Sequence, residues 1–182
     1  SQSGLRAIQI KLANLPPPFE SFEGQTRWAG LPQDRPETGT TTFKAATLQC
    51  DPFYSDWSGV GVLAVFDDAI LPGGTYELRA INDSCDPQTQ ANYSTPLEIV
   101  TVARWGDVVI PFNPPSPTVQ PDFGDISALV DKFRDAPNAP AMARADVYPS
   151  LPDQILDFSD IAMVVDAFRG LAYPFPGPTP CP

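Results

Sequence analysis

Residues 122–135 read DFGDISALVDKFRD and residues 157–170 read DFSDIAMVVDAFRG, so eight of fourteen positions are identical at an offset of 35. Unrelated helices are not expected to agree so closely, and the doublet constrains the fold more than any other feature. In each copy two aspartates three residues apart, Asp122/Asp125 and Asp157/Asp160, stand directly before an apolar stripe. The stripes are Ile126, Leu129, Val130, Phe133 and Ile161, Val164, Val165, Phe168. This i, i+3, i+4, i+7 spacing predicts two short amphipathic helices. Neither can bury its face alone, so the pair is expected to pack on itself.

The doublet fills only the last third of 182 residues, which argues for two units. Residues 1–103 suit one β-sandwich, residues 104–170 the helix pair, and residues 171–182 form a proline-rich tail. The expected class is mainly β with a small α module. Prolines number 23, about two and a half times the usual frequency, yet aromatic and β-branched residues stay plentiful, which reads as loop-rich and folded. Lys+Arg total 11 against 22 Asp+Glu, a net charge of −11. That balance speaks against nucleic acid and anionic membrane, which need clustered cations, and suits divalent cations. The chain has no histidine, which excludes catalytic triads and imidazole-ligated zinc and leaves paired-carboxylate chemistry as the enzymatic option. No apolar run reaches the length of a membrane span. The opening Ser1-Gln2-Ser3-Gly4 reads as an end left by signal-peptide removal or by trimming. Three cysteines permit one disulfide. The expected pair is Cys50–Cys85, both in the N-terminal half, with Cys181 left over for an intermolecular bond or as an inert thiol.

Along the chain, Leu5 to Leu12 alternates so that Ile8, Ile10 and Leu12 face a core, a first strand ended by Pro16-Pro17-Pro18. Arg27 to Ala29 reads as a second strand, 31–39 as a loop, and the threonine-rich 41–49 as a third strand. Residues 51–58 carry Phe53, Tyr54 and Trp57 among turn residues. Such a loop either stacks on sugars or plugs the end of a sandwich. Val60 to Phe66 is an apolar strand, and Pro96 to Ala103 the last one. Five prolines between Pro111 and Pro121 exclude a helix there, and Gly170 is placed to end the second helix in the left-handed region.

Leu71, Pro72, the Gly73-Gly74 turn, Tyr76 and Ala80 resemble the tyrosine corner of fibronectin type III domains and the strand that follows it. The resemblance implies a β-sandwich over about residues 5–103, with the tyrosine hydroxyl returned to the upstream backbone. Two sequons, at Asn82 and Asn92, are candidate glycosylation sites or chance turn sequences.

Each copy of the doublet also owns an earlier aspartate. Ala103-Arg104-Trp105-Gly106-Asp107-Val108 and Ala143-Arg144-Ala145-Asp146-Val147 differ by one inserted residue. Several hard oxygens arriving from a loop and closing on a carboxylate at a helix start suit calcium. The second copy offers Asp146, Asp153, Asp157, Asp160 and the Ile155 carbonyl. The first offers Asp107, Asp122 and Asp125, with Ser116 or Thr118 in place of Asp153, and is expected to be weaker or empty. The metal-free alternative makes Asp122 and Asp157 helix caps, with Asp125 and Asp160 favouring the helix dipole. Two acidic loops, each followed by a helix with its last carboxylates three apart, resemble a divergent type I dockerin module. Phe123-Gly124 and Phe158-Ser159 stand where dockerins often carry a Ser-Thr recognition pair. The resemblance implies calcium and, more remotely, docking onto a cohesin-like partner.

The expected function is therefore a secreted or cell-surface, non-enzymatic structural or adhesive protein. It is calcium-stabilised, carries candidate glycosylation sites, and assembles with copies of itself, as a filament or surface layer, or with a cell-surface protein. The alternatives are a dockerin-type attachment module and a carbohydrate-binding module that uses Phe53, Tyr54 and Trp57 on glycans. A carboxylate glycosidase stands behind these, because the aspartates cluster as loop ligands.

Overall fold

A computed structural model describes residues 4–36, 42–82, 85–86, 89–110 and 121–181. The protein is mainly β with three small helices. Strands β1 (Leu5–Asn14), β2 (Thr26–Ala29), β3 (Gln33–Pro36), β4 (Thr42–Ala46), β5 (Leu48–Gln49), β6 (Leu63–Val65), β7 (Thr75–Asn82) and β8 (Leu97–Val100) precede helices α1 (Phe123–Phe133), α2 (Met142–Ala145) and α3 (Phe158–Phe168). One sheet has the order β5-β2-β1-β7-β8 and is antiparallel throughout. The other has the order β3-β4-β6, with β4 and β6 parallel.

The central strand β1 lies between β2 and β7 and pairs with β7 over eight registered positions. Ala7 and Gln9 are buried alongside the expected Ile10 and Leu12, while Ile8 is part-buried. The main core gathers Ile10, Leu12, Leu15, Leu48, Leu71 and Tyr76. Tyr76 ties the corner after β6. Its hydroxyl accepts from the Leu71 N–H at 2.7 Å and donates to the Ala69 carbonyl at 3.0 Å, which satisfies a phenol that is only 2% exposed.

Three strand expectations change. The stretch read as a loop over 31–39 contains β3, an edge strand in which Pro36 is tolerated at the end. The strand expected over 41–49 is two, because the chain changes sheets at Thr47: β4 belongs to one and β5 to the other. The strand expected over 60–66 forms only over Leu63–Val65 as β6, and Val62 before it is exposed.

A second core lies within residues 108–164, where Val108, Leu129, Ala145 and Val164 pack together. Leu129 of α1 and Val164 of α3 are completely buried, so the two stripes meet as expected at their centres. At their ends Phe133 and Phe168 are about half exposed instead. Helix α2, one turn long, carries no sequence signal strong enough to announce it.

The tail lies on the rest of its own chain. Tyr173 packs against the main core and, edge to face, against Trp105 and Phe175. Gly177 lies so close to the Phe19 ring that a β-carbon would overlap it, and the buried Arg27 guanidinium donates to the Thr179 carbonyl. Cys181 thereby reaches the end of β5 and bonds Cys50, with Cα atoms 5.4 Å apart. The expected Cys50–Cys85 pair is thus corrected. Cys85 is a free thiol packed beside Ile81 and Tyr93, in a different cluster. Nearness in sequence misled here, because the return of the tail across 131 residues decides the pairing.

Candidate functional site

The two copies of the doublet are built alike to the level of single hydrogen bonds. In each, the first aspartate is an N-cap: Asp122 Oδ1 accepts from the Gly124 N–H and Asp157 Oδ1 from the Ser159 N–H, both at 2.6 Å. The third helical residue returns the favour. Asp125 Oδ2 accepts from the Asp122 N–H and Asp160 Oδ2 from the Asp157 N–H, both at 2.9 Å, which completes a capping box.

The other oxygen of that third residue reaches across the fold. Asp125 Oδ1 accepts from Val108 N–H at 2.8 Å and Val109 N–H at 3.1 Å. Asp160 Oδ1 accepts from Val147 N–H at 2.8 Å and Tyr148 N–H at 3.0 Å. Both carboxylates are 1% exposed, and each holds three backbone donors. The segment after each upstream aspartate is therefore bolted to the start of its own helix. This accounts, without a metal, for the recurrence of that segment ahead of both helices. Arg144 adds a tie between copies by donating to the Val108 carbonyl at 3.2 Å.

Capping and bolting do not account for the upstream aspartates themselves. Asp107 and Asp146 are both buried, 5% and 4% exposed, and both line a cleft of about 280 Å³ between the sheets and the helices, with Phe66, Trp105 and Tyr173. Asp146 Oδ2 accepts from the Gln154 N–H at 2.6 Å, while its Oδ1 is buried with no hydrogen-bond partner. Burial pushes its pKa up from 3.8 to about 6, helped by the negative charges of Asp160 and Asp153 and opposed by the Gln154 and Asp153 N–H groups. Asp153 is exposed and accepts from the Ile155 N–H at 2.8 Å. Gln154 between them stands at φ 69, in the left-handed region, so that turn is held in shape at some cost.

Taken residue by residue, the structure brings Asp153 and Asp160 each into electrostatic reach of Asp146, with Asp157 and Ile155 on the same loop-and-helix start. Among the described residues, no three acidic or cysteine side chains stand close enough together to hold an ion as they are. In the first copy Asp122 and Asp125 repeat the capping box and Asp107 is buried like Asp146, while Ser116 and Thr118 lie outside the described residues.

The remaining candidates scatter. Trp57 is 4% exposed, donates its indole N–H to the Arg6 carbonyl at 2.9 Å and packs against Ala29 and Ala46, with Phe53 edge-on to it. Its ring is committed to the core. Tyr54 is half-buried, with the Arg6 guanidinium 5.4 Å from its ring centre. Asn82 is exposed, but Asp83 and Ser84 of its sequon lie outside the described residues. Asn92 donates its side-chain N–H to the Asp86 carbonyl at 2.9 Å and sits in a single 3-10 turn.

Sequence reasoning passed over Asp67, which joins the two sheets: its carboxylate accepts from Leu48 N–H at 3.0 Å and Ala69 N–H at 2.9 Å. Its only local signal was an aspartate two residues before an amide it could accept from, as in many turns. None of the described helices is long and apolar enough to cross a membrane. Comparison with protein-family models, with curated proteins and with solved structures finds no match to this chain.

Proposed function

We propose that this is a non-enzymatic structural or adhesive protein of the cell surface or extracellular space, in which a β module is locked to a helix pair and the second loop of that pair takes one calcium ion. The observation that carries the calcium reading is Asp146 Oδ1, a carboxylate oxygen buried without a partner in a loop whose other side-chain donors are all hard oxygens. A buried carboxylate in that state is costly, and a cation beside it removes the cost. Asp146 would anchor the ion, with Asp153, Asp157 and the Ile155 carbonyl from the same loop. Asp160, already accepting three N–H groups, shapes the loop. The first copy is expected to bind more weakly or not at all. Calcium supplies stability here by binding the folded loop in preference to the unfolded chain.

The Cys50–Cys181 bond supports an oxidising compartment. The corner made by Tyr76 supports the fibronectin-like reading of the β module. Titration calorimetry with calcium, alongside melting curves in calcium and in EDTA, tests the reading. One site and a raised melting temperature are expected, both lost in Asp146→Asn; an unchanged melt in EDTA with no binding heat would sink it.

One observation favours the docking alternative. Phe123 and Phe158, at the first positions of α1 and α3, are 69% and 73% exposed, and Phe158 keeps Phe133 5.1 Å away as a partial stack. That reading requires a one-to-one complex with a cohesin-like partner that Phe158→Asp destroys.

A further inference from the structure

Among the described residues no strand pairs with the outer edge of the five-stranded sheet at β8. Strand β8 reads Leu-Glu-Ile-Val, pairs only with β7 among the described residues, and has every residue exposed: Leu97 62%, Ile99 40% and Val100 63%. Both of its faces stand clear of the other sheet. Exposed edges are usually blunted by lysine, a bulge or a covering loop, and among the described residues β8 has none of these beyond Pro96 before its start.

The backbone says what fits there. Thr101 donates its N–H to the Gly74 carbonyl at 3.0 Å, and Val100 stands opposite Thr75 in the ladder. By the alternation of antiparallel bonds, Leu97, Ile99 and Thr101 turn their amide groups toward β7, while Glu98 and Val100 turn theirs to the open side. A second strand added there pairs its own outward residues with Glu98 and Val100.

We propose that the occupant is β8 of a second copy, paired antiparallel about a two-fold axis to make one ten-stranded sheet. Only registers that set outward residues opposite outward residues are allowed, which leaves three. One puts Glu98 on Glu98, and like charges directly opposite repel. Another puts Val100 on Val100, but it shifts the overlap past Thr101, where the Val102 carbonyl is already taken by the Gly73 N–H. The third sets Glu98 against Val100, Ile99 against Ile99 and Leu97 against Thr101. It forms about four backbone hydrogen bonds, ends cleanly at Pro96, which has no N–H, and separates the two glutamates. The sequence is thus self-complementary about Ile99.

This names the contact for the self-assembly reading above and rests on it; calcium is not involved, so the two can fail separately. The contact is small, so the dimer is weak, and it strengthens with salt because each chain carries −11. The test is cysteine cross-linking in EDTA, in a Cys85→Ser background that keeps the native disulfide. At the axis the Ile99 Cα atoms come within about 4.5 Å, inside disulfide range. Ile99→Cys is expected to form covalent dimers under mild oxidation, whereas Glu98→Cys, Val100→Cys and Leu97→Cys are not. Adding Val100→Glu to Ile99→Cys, which sets a second carboxylate opposite Glu98, is expected to abolish them. No dimer from Ile99→Cys, or equal cross-linking from all four positions, overturns the proposal.

Discussion

Removing the Cys50–Cys181 bond is the sharpest perturbation available, because the bond closes a loop of 131 residues and joins the last turn of the tail to the five-stranded sheet. In the chain-entropy account, a cross-link over that span withholds about 5 kcal/mol of conformational freedom from the unfolded chain at 25 °C. Enthalpic differences usually lower the realised figure, so a cost of about 4 kcal/mol is expected for Cys50→Ser/Cys181→Ser. At this chain length that lowers the melting temperature by about 10 °C. The noncovalent hold of the tail should soften too. The Thr179 carbonyl on Arg27 and the seat of Gly177 on Phe19 are local contacts that a tethered tail keeps and a free end frays.

The assay is urea unfolding and calorimetry of the wild type, the double variant and the wild type in reductant. Thiol titration of the unfolded, unreduced chain is expected to find one free thiol, and peptide mapping to place it at Cys85. Cys85→Ser alone is expected to leave the melt unchanged. The reasoning fails if the double variant melts within a degree or two of the wild type, or if mapping recovers a Cys50–Cys85 peptide.

Asp160→Ala strips the acceptor from three N–H groups, those of Val147, Tyr148 and Asp157, and should cost about 3–5 kcal/mol in EDTA. Chemical denaturation reads this, and a loss under 1 kcal/mol would show that the bolt is idle. Asp135 occupies, at φ 51, the position that Gly170 holds at φ 80 in the second copy. Asp135→Gly should therefore stabilise by about 0.5–1 kcal/mol, and a destabilised variant would contradict a left-handed helix end there. Asp146 has a folded pKa of about 6 against an ordinary 3.8, so its charged form is the one the fold disfavours. Lowering pH from 7 toward 4 in EDTA should let it take up a proton and raise its share of stability, by at most about 3 kcal/mol. With calcium bound that gain should vanish, and identical pH profiles with and without calcium would remove Asp146 from the site.

The helical third was legible because its signals are local. Stripe spacing, an aspartate cap with another aspartate three residues on, and a glycine after the last turn each act within one or two helical turns. The burial of Leu129 and Val164, the twin capping boxes and the positive φ of Gly170 follow from them directly. Strands β1 and β2 were legible for the same reason. What stayed hidden depends on partners far along the chain. Nothing near Gln33–Pro36 announces an edge strand, nothing at Thr47 announces a change of sheet, and nothing near Cys50 points to a residue 131 positions away.

The aspartates show both sides of that divide. Spacing alone cannot separate a carboxylate that caps an N–H from one that awaits a cation, because both place an oxygen at a helix start. Geometry divides them. Asp122, Asp125, Asp157 and Asp160 have backbone donors to hold, and the recurrence that pointed to metal in all of them reflects a duplicated bolt. Asp146 is different in kind. It keeps a buried oxygen that no donor meets, so the strength of any calcium response should follow this residue far more than the four that drew attention to the site. A calcium-dependent melt that survives Asp146→Asn but is lost in Asp157→Asn would reverse that order.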